Sequence, residues 1–253
     1  MTSIPTFGAL IIGDEILSGK RQDKHLSKTI EALAARGLSL SYAHYVGDEP
    51  ERIVATLKQT FATGHIVFSF GGIGATPDDY TRQCAAAALG VALHQHPEAV
   101  AAMQAKPKFE LTANRLKMAE FPLGSTIIPN PYNQIAAFSC GDHHFLPGFP
   151  EMAWPMMEWV LDSKYRHLFN QEPFVEEIIV IHEAGESQLI DAMNRIVNGF
   201  PTTKLSSLPQ NLRGTSGGRI IELSIRGDPQ AVPVAMRQMK AEVQSLGFRF
   251  DVK

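Results

Sequence analysis

Along the first two thirds of the chain, unbroken apolar runs alternate with apolar positions spaced three and four apart. Phe7–Ile12 (FGALII) is continuously apolar, as a strand buried on both faces of a parallel sheet must be. Lys24–Arg36 carries Leu26, Ile30, Leu33 and Ala34 at helical spacing, and Gly37 falls where a helix ends. Leu38–Val46 reads as a second strand, Pro50–Thr63 as a helix with Ile53, Leu57 and Phe61 on one face, and His65–Phe70 as a third strand. A helix from Pro77 to Leu89, closed by Gly90, comes next. Further helices are predicted at Pro97–Ala105, Glu110–Ala119 and Pro150–Leu161, and short strands at Thr126–Ile128, Ala136–Ser139 and His143–Leu146. The alternation predicts a doubly wound, mostly parallel α/β sheet, which binds ligands beyond the carboxyl ends of its strands.

Near Gln171 the pattern changes. Strand 174–182, helix 186–198, strand 202–207, a loop containing Gly214–Gly218, strand 218–226, helix 229–245 and strand 247–252 give a βαββαβ order. That is a split βαβ, ferredoxin-like α+β arrangement. Two domains are expected, 1–170 and 171–253.

Composition narrows the classes. The 253 residues are 44% apolar and 19% charged, enough to bury a core. With 23 Lys+Arg against 26 Asp+Glu the net charge is −3, without the basic excess of a nucleic-acid binder. No apolar run approaches the ~20 residues of a membrane span, and the amino terminus carries no secretory pattern. Cys84 and Cys140 are too few for a disulfide framework. A cytoplasmic protein with two free thiols is expected.

The densest chemistry lies in Phe70–Thr81, FGGIGATPDDYT. Glycines at a strand-to-helix turn admit positive φ and close approach of a ligand to the backbone, and a helix start offers N–H groups to an anion. Asp78 and Asp79 would repel a bare phosphate, unless a divalent cation such as Mg²⁺ lies between carboxylates and phosphates. A structural reading competes: Thr76 as N-cap, Pro77 at N1 and Asp79 at N3 approximate a capping box. That leaves Gly71, Gly72 and Gly74 unexplained. Loops after the first two strands, Gly13-Asp14-Glu15 with Asp23 and Gly47-Asp48-Glu49, share the same sheet edge. Asp48 and Asp23 are also natural helix caps.

Taken together, GDEILSG, QDK, VGDEPERI, GGIGATPDDYT, Asn114-Arg115, IIPNP and PGFPEM resemble the molybdopterin-binding fold of MogA/MoaB proteins. The likeness is nearest to the N-terminal region of CinA-type (competence/damage-inducible) proteins and covers about 1–165. By this resemblance Asp48 and Asp79 are the catalytic, metal-associated pair, with Asp78 beside them as a metal ligand. Gly71, Gly72 and Gly74 form the phosphate turn, with Gly13, Asp14 and Thr76 nearby. Pro147, Gly148, Pro150 and Glu151 line a pterin or nucleotide pocket. The implied activity is hydrolysis of the pyrophosphate in ADP-ribose-like nucleotides, dependent on Mg²⁺, Mn²⁺ or Co²⁺. Molybdopterin binding, adenylylation in molybdenum cofactor synthesis, and non-catalytic pterin or nucleotide binding are the alternatives. The chain departs from the family pattern at Asp23-Lys24-His25, where Asp-x-Asn is frequent, and at Ala75, often Pro. CinA-type proteins continue into a nicotinamide-nucleotide deamidase domain; with the sequence ending at Lys253, that activity is expected to be absent.

Both chemistries are metal-aided attacks at phosphorus, needing positioning and charge neutralisation rather than a covalent nucleophile. Lys20, Arg21, Lys24 or Arg82 would add positive charge. The partner is a small molecule, with no nucleic acid and no membrane, and a homo-oligomer is expected. A P-loop, a GxGxxG fingerprint and an HExxH motif are all missing. His94-x-His96 and His143-His144 lack accompanying ligands at metal spacing, Cys84 and Cys140 lack a His partner, and Trp154 and Trp159 read as core or interface.

Overall fold

All six residues of Phe7–Ile12 (β1) are buried, as the unbroken apolar run requires. The computed structural model of the chain describes residues 5–105, 111–169, 175–211 and 219–253. After β1 come α1 (Asp14–Leu17), α2 (His25–Ala34), β2 (Leu40–Val46), α3 (Pro50–Phe61), β3 (Ile66–Phe70) and α4 (Thr81–Leu89). Then follow β4 (Leu93–Gln95), α5 (Pro97–Gln104), α6 (Ala113–Leu116), β5 (Glu120–Pro122), β6 (Thr126–Ile128), β7 (Ala137–Cys140), β8 (His143–Leu146) and α7 (Pro150–Lys164). Among the described residues the main sheet has the order β2-β1-β3-β8-β7-β6. β2, β1, β3 and β8 run parallel, and the β7 and β6 edge is antiparallel.

The pleat divides β1 between two cores. Phe7, Ala9 and Ile11 pack with Leu33 of α2 and Met156, Met157 and Val160 of α7. Leu10 and Ile12 pack on the other side with Ile53 and Leu57 of α3 and Ala85 of α4. Helices cover both faces, which is why the central strands read as continuous apolar runs rather than alternations.

Several boundaries differ from the sequence reading. The third helix begins at Thr81, four residues after Pro77, so Thr76, Pro77 and Asp79 form a turn and not a helix cap. The expected helix at Glu110–Ala119 starts outside the described residues and within them is α6 plus a 3₁₀ turn at Lys117–Ala119. The antiparallel pair β4·β5 was not foreseen. Strands of three residues, one ending in proline, carry no legible period; the pair forms because Phe121 is buried and stacks on Phe138 at 4.8 Å.

The chain separates into two units, Met1–Phe169 and Asn170–Lys253. The second contains β9 (Val175–His182), α8 (Glu186–Gly199), β10 (Thr203–Asn211), β11 (Arg219–Gly227), α9 (Ala231–Ser245) and β12 (Phe250–Val252). Its antiparallel sheet has the order β10-β11-β9-β12, the split βαβ topology. Ile179, Ile181, Leu223 and Ile225 face Leu189, Ile196, Met236 and Met239 of the two helices. β10 extends to Asn211 beyond the expected end, while α9 and β12 start later than expected. Gly214–Gly218 and Gln171 lie outside the described residues.

His143 and His144 are buried on opposite faces of β8. His143 Nε2 meets Thr60 Oγ1 at 2.9 Å, whereas His144 lies between Ser139 Oγ and Tyr165 Oη, at 2.8 and 2.7 Å. Tyr165 in turn donates to Asp142. Burial lowers His143 from 6.5 to about 4 and holds His144 well below its ordinary value. Both rings are therefore neutral in the folded chain at pH 7. Unfolded, they bind protons below about pH 6.5, so the stability they contribute is complete above that pH and lost as pH falls toward 4. We expect unfolding free energy from denaturant titration to drop between pH 6.5 and 4.5 by up to about 1.4 kcal/mol per unit per histidine. His143→Gln with His144→Gln should flatten that slope, and an equally steep slope in the double variant would refute the assignment.

Candidate functional site

The loops after β1 and β2 are joined by a reciprocal pair of hydrogen bonds. The Asp14 N–H donates to Asp48 Oδ2 at 2.8 Å, and the Asp48 N–H donates to Asp14 Oδ1 at 3.2 Å. Asp48 therefore does not cap α3, whose N-cap is Glu49 without a side-chain bond and whose first residue is Pro50. Proline lacks the N–H that a cap would serve. Asp48 Oδ1 has no partner among the described residues. Burial, together with the carboxylates of Asp14, Glu15 and Asp78, holds the Asp48 carboxyl above the usual range, opposed by the Asp14 amide.

The β3 turn is shaped by contacts within the protein. At Gly71 (φ +104) a β-carbon would lie 2.2 Å from the Ile12 carbonyl oxygen; at Gly72 (φ +66) one would lie 2.2 Å from Thr81 Oγ1. At Gly74 it would lie 2.5 Å from Asp79 Oδ2. Gly71 and Gly72 are thus required by positive φ and by packing, whereas at Gly74 the near atom is the end of the Asp79 side chain. Asp79 Oδ2 accepts from the Thr76 N–H at 2.8 Å and from Thr76 Oγ1 at 2.5 Å, closing the 76–79 turn.

The backbone of this turn has a definite polarity. The Gly71 N–H is taken by the Leu146 carbonyl, and the Gly13 N–H by the Val46 carbonyl, so neither is available to a ligand. Thr81 Oγ1 donates to the Gly71 carbonyl at 3.0 Å and the Thr81 N–H to the Gly72 carbonyl at 2.9 Å. In a trans peptide the N–H points opposite to the C=O. The Gly72 and Ile73 amides are therefore turned away from α4. Among the described residues the N–H groups of Gly72, Ile73, Gly74 and Ala75 carry no hydrogen bond.

A third wall comes from the starts of α2 and α7. Asp23 accepts from the His25 and Leu26 amides at 2.8 and 3.2 Å, capping α2 as its sequence position suggested, and also accepts from Tyr45 Oη. His25 is buried, stacks on Phe70 with centroids 4.5 Å apart, and its Nε2 donates to the Gly148 carbonyl at 3.2 Å. Sequence reasoning noted His25 only as a departure from Asp-x-Asn. Its burial beside β3 depends on a partner 123 residues away. Phe149, before α7, is half exposed with the Arg21 guanidinium 5.6 Å above its ring.

These walls enclose a cavity of about 800 Å³. Asp48, Asp78, Asp79, Gly13, Thr76 and Glu151 line it, as do Gly71, Gly72, Gly74, Pro147, Gly148 and Pro150. Asp14 does not line it and is hydrogen-bonded to Asp48, which does. Lys20, Arg21 and Lys24 are at its edge, whereas Arg82 is buried and outside it. Among the described residues no three His, Cys, Asp or Glu side chains are grouped to hold a metal ion by themselves. Asp48, Asp78 and Asp79, expected by the resemblance to hold the metal, do not form such a group. No helix among them is long and apolar enough to cross a membrane.

In the order β2-β1-β3-β8 the crossovers diverge on either side of β1, and the Gly13 and Gly71 turns leave the two strands flanking that switch point. The first unit is thus an open α/β domain with its cavity at the topological switch, where such sheets take ligands. A family model described as "Probable molybdopterin binding domain" matches residues 8–167, and the chain belongs to that family. A CinA-like protein of Anaeromyxobacter sp. (strain K) is 34% identical over 160 residues, 60% of this chain and 39% of that protein. A CinA-like protein of Desulfovibrio desulfuricans is 31% identical over 156 residues, 58% of this chain and 36% of that one. The chain spans less than half the length of these curated relatives. The crystal structure of the protein CinA, of unknown function, from Thermoplasma acidophilum superposes with a TM-score of 0.57 at 26% identity. That match covers 62% of this chain and 98% of the other.

Substitutions at two glycines separate backbone strain from the Ile12 contact. Gly71→Ala should lower unfolding free energy by about 2–4 kcal/mol, combining strain with the Ile12 clash. Gly64→Ala, at φ +67 with open space around it, should cost only about 1 kcal/mol. Equal losses in denaturant titrations of the two variants would remove the Ile12 contact as the cause.

Proposed function

We propose that the first unit is a divalent-metal-dependent nucleotide pyrophosphatase acting on ADP-ribose-like substrates. One observation carries this reading: Gly72 to Ala75, whose four successive amides have no partner among the described residues, line the same cavity as Asp48, Asp78 and Asp79. The amides suit phosphoryl oxygens, and the carboxylates suit a cation. A volume of about 800 Å³ also accommodates a dinucleotide-sized molecule.

The donor set fits a metal that the substrate helps to hold. Mg²⁺ binds through one or two carboxylates plus substrate phosphates and keeps several waters. Asp48 Oδ1 is without a partner among the described residues, and burial, reinforced by the carboxylates of Asp14, Glu15 and Asp78, raises the Asp48 pKa. Asp48 and Asp79 would hold the ion, with Asp78 beside them. When bound, it would neutralise charge developing on the phosphoryl oxygens. The protein's own contribution is positional. Gly72–Ala75 orient the pyrophosphate, the Asp14–Asp48 link fixes one carboxylate against the β1 loop, and the Thr76 bonds fix Asp79. A carboxylate so placed would orient the attacking water in line with the leaving phosphate.

A second reading, binding or adenylylation of molybdopterin, rests on the family description. A pterin phosphate would use the same amides.

Purified protein with Mg²⁺, Mn²⁺ or Co²⁺ should release AMP and ribose phosphate from ADP-ribose. Asp48→Asn and Asp79→Asn should each reduce turnover at least about a hundredfold. Full turnover in both variants would defeat the proposal, and tight pterin binding without nucleotide hydrolysis would favour the second reading. The pH profile gives an independent check. Because Asp48 protonates above the usual carboxylate pH, metal-dependent turnover should fall on the acid side through that raised pKa. Asp78→Asn removes one of the charges that raise it, so it should move the acid limb to lower pH.

A further inference from the structure

Arg82 is the second residue of α4 and is 2% exposed. Its Nη2 donates to the Gly74 carbonyl at 2.6 Å, and its Nη1 to the Lys117 carbonyl and, at 3.5 Å, the Glu120 carbonyl. Nε is buried without a partner. Among the described residues no carboxylate forms an ion pair with this guanidinium. Glu120 and Asp79 act on it only through space, against a burial that lowers its pKa. Arginine nevertheless stays protonated in proteins. The fold therefore encloses a positive charge whose direct contacts are neutral carbonyls and whose acidic neighbours, Glu120 and Asp79, offset its burial only through space, so a further anion nearby would be favourable.

The direction of those contacts indicates where such an anion would lie. With the Gly74 carbonyl drawn to Arg82, planarity of the trans peptide points the Ala75 N–H the opposite way. Ala75 lines the cavity and its amide has no partner. Thr81 does the same for the Gly72 and Ile73 amides through the two preceding carbonyls. A strut between the glycine turn and the 117–120 segment would need donors but not a charge, so a neutral side chain would suffice.

We infer that Arg82 is a positioning residue for a bound phosphoryl anion: it aims the Ala75 amide into the cavity, and its unpaired charge is matched by the anion on the Gly72–Ala75 turn. This rests on the anion-binding part of the proposed function and extends it to a residue that touches no ligand.

The probe is inorganic pyrophosphate with Mg²⁺, measured by calorimetry on the full chain, with the Ala75 amide followed by ¹⁵N NMR. Arg82→Gln, which keeps a donor and removes the charge, should weaken pyrophosphate about tenfold. The Ala75 resonance should still shift, at about tenfold higher pyrophosphate, because a donor to the Gly74 carbonyl remains, while the unliganded melting temperature stays level or rises. Arg82→Lys, which keeps the charge, should recover most of the affinity. Unchanged affinity in Arg82→Gln would overturn the inference. So would failure of both variants to fold, since Arg82 would then be a strut alone. Pyrophosphate binding by the unaltered chain without ADP-ribose turnover would sink the pyrophosphatase reading and leave the inference standing. Turnover with an Arg82→Gln affinity equal to wild type would do the reverse. Binding of no anion by the unaltered chain would end both.

Discussion

At the carboxyl edge of the larger sheet, the β3 turn passes so close to the end of β1 that Gly71 has no room for a β-carbon beside the Ile12 carbonyl. The rest of the site follows from that approach. A left-handed turn without side chains lets Thr81 reach back to the Gly71 and Gly72 carbonyls, so α4 begins only at Thr81. Those bonds consume carbonyls and leave amides unpaired. The Gly148 turn also packs here: a β-carbon added at Gly148 would lie 3.5 Å from the Gly71 Cα. His25 completes the seam by stacking on Phe70 and holding the Gly148 carbonyl.

What was legible in the sequence follows the range of the interactions involved. The four parallel strands were readable because burial on both faces leaves an unbroken apolar run, a signal contained within each strand. Pro50, Pro97 and Pro150 marked helix starts because the first turn of a helix tolerates a missing N–H. The start of α4 was misplaced because Thr76, Pro77 and Asp79 have the composition of a cap. Their bonds close a local turn, while the contacts that set the helix start come from Thr81 to residues nine and ten positions earlier. Asp48 was read as a possible cap for the same reason: its actual partner, Asp14, is 34 residues away. Convergence of the acidic loops on one edge was legible from topology alone, since consecutive strands of a parallel sheet present their following loops together.

The titratable groups segregate along the strands. β8 runs parallel to β3, so His143, at its amino end, lies away from the turn that follows Phe70, and at that same end buried His144 and Tyr165 are hydrogen-bonded in series to the exposed Asp142. Adjacent residues on a strand face opposite ways, which is why two consecutive histidines serve two different cores and do not gather as a metal pair. The buried histidines thus lie at one end of the parallel strands, and the carboxylates that line the cavity lie at the other.

The cavity's charges also limit what it accepts. A bare cation would meet the carboxylates but leave the Gly72–Ala75 amides and the buried Arg82 charge unanswered. A bare anion would satisfy the amides and Arg82 but lie against Asp48, Asp78 and Asp79. Neither meets the requirements of both sets. A phosphate that carries its own divalent cation satisfies both sets at once, because the metal faces the carboxylates while the phosphoryl oxygens face the amides. The mixture of acids and unpaired donors therefore argues for a metal-phosphate ligand more strongly than either set would alone.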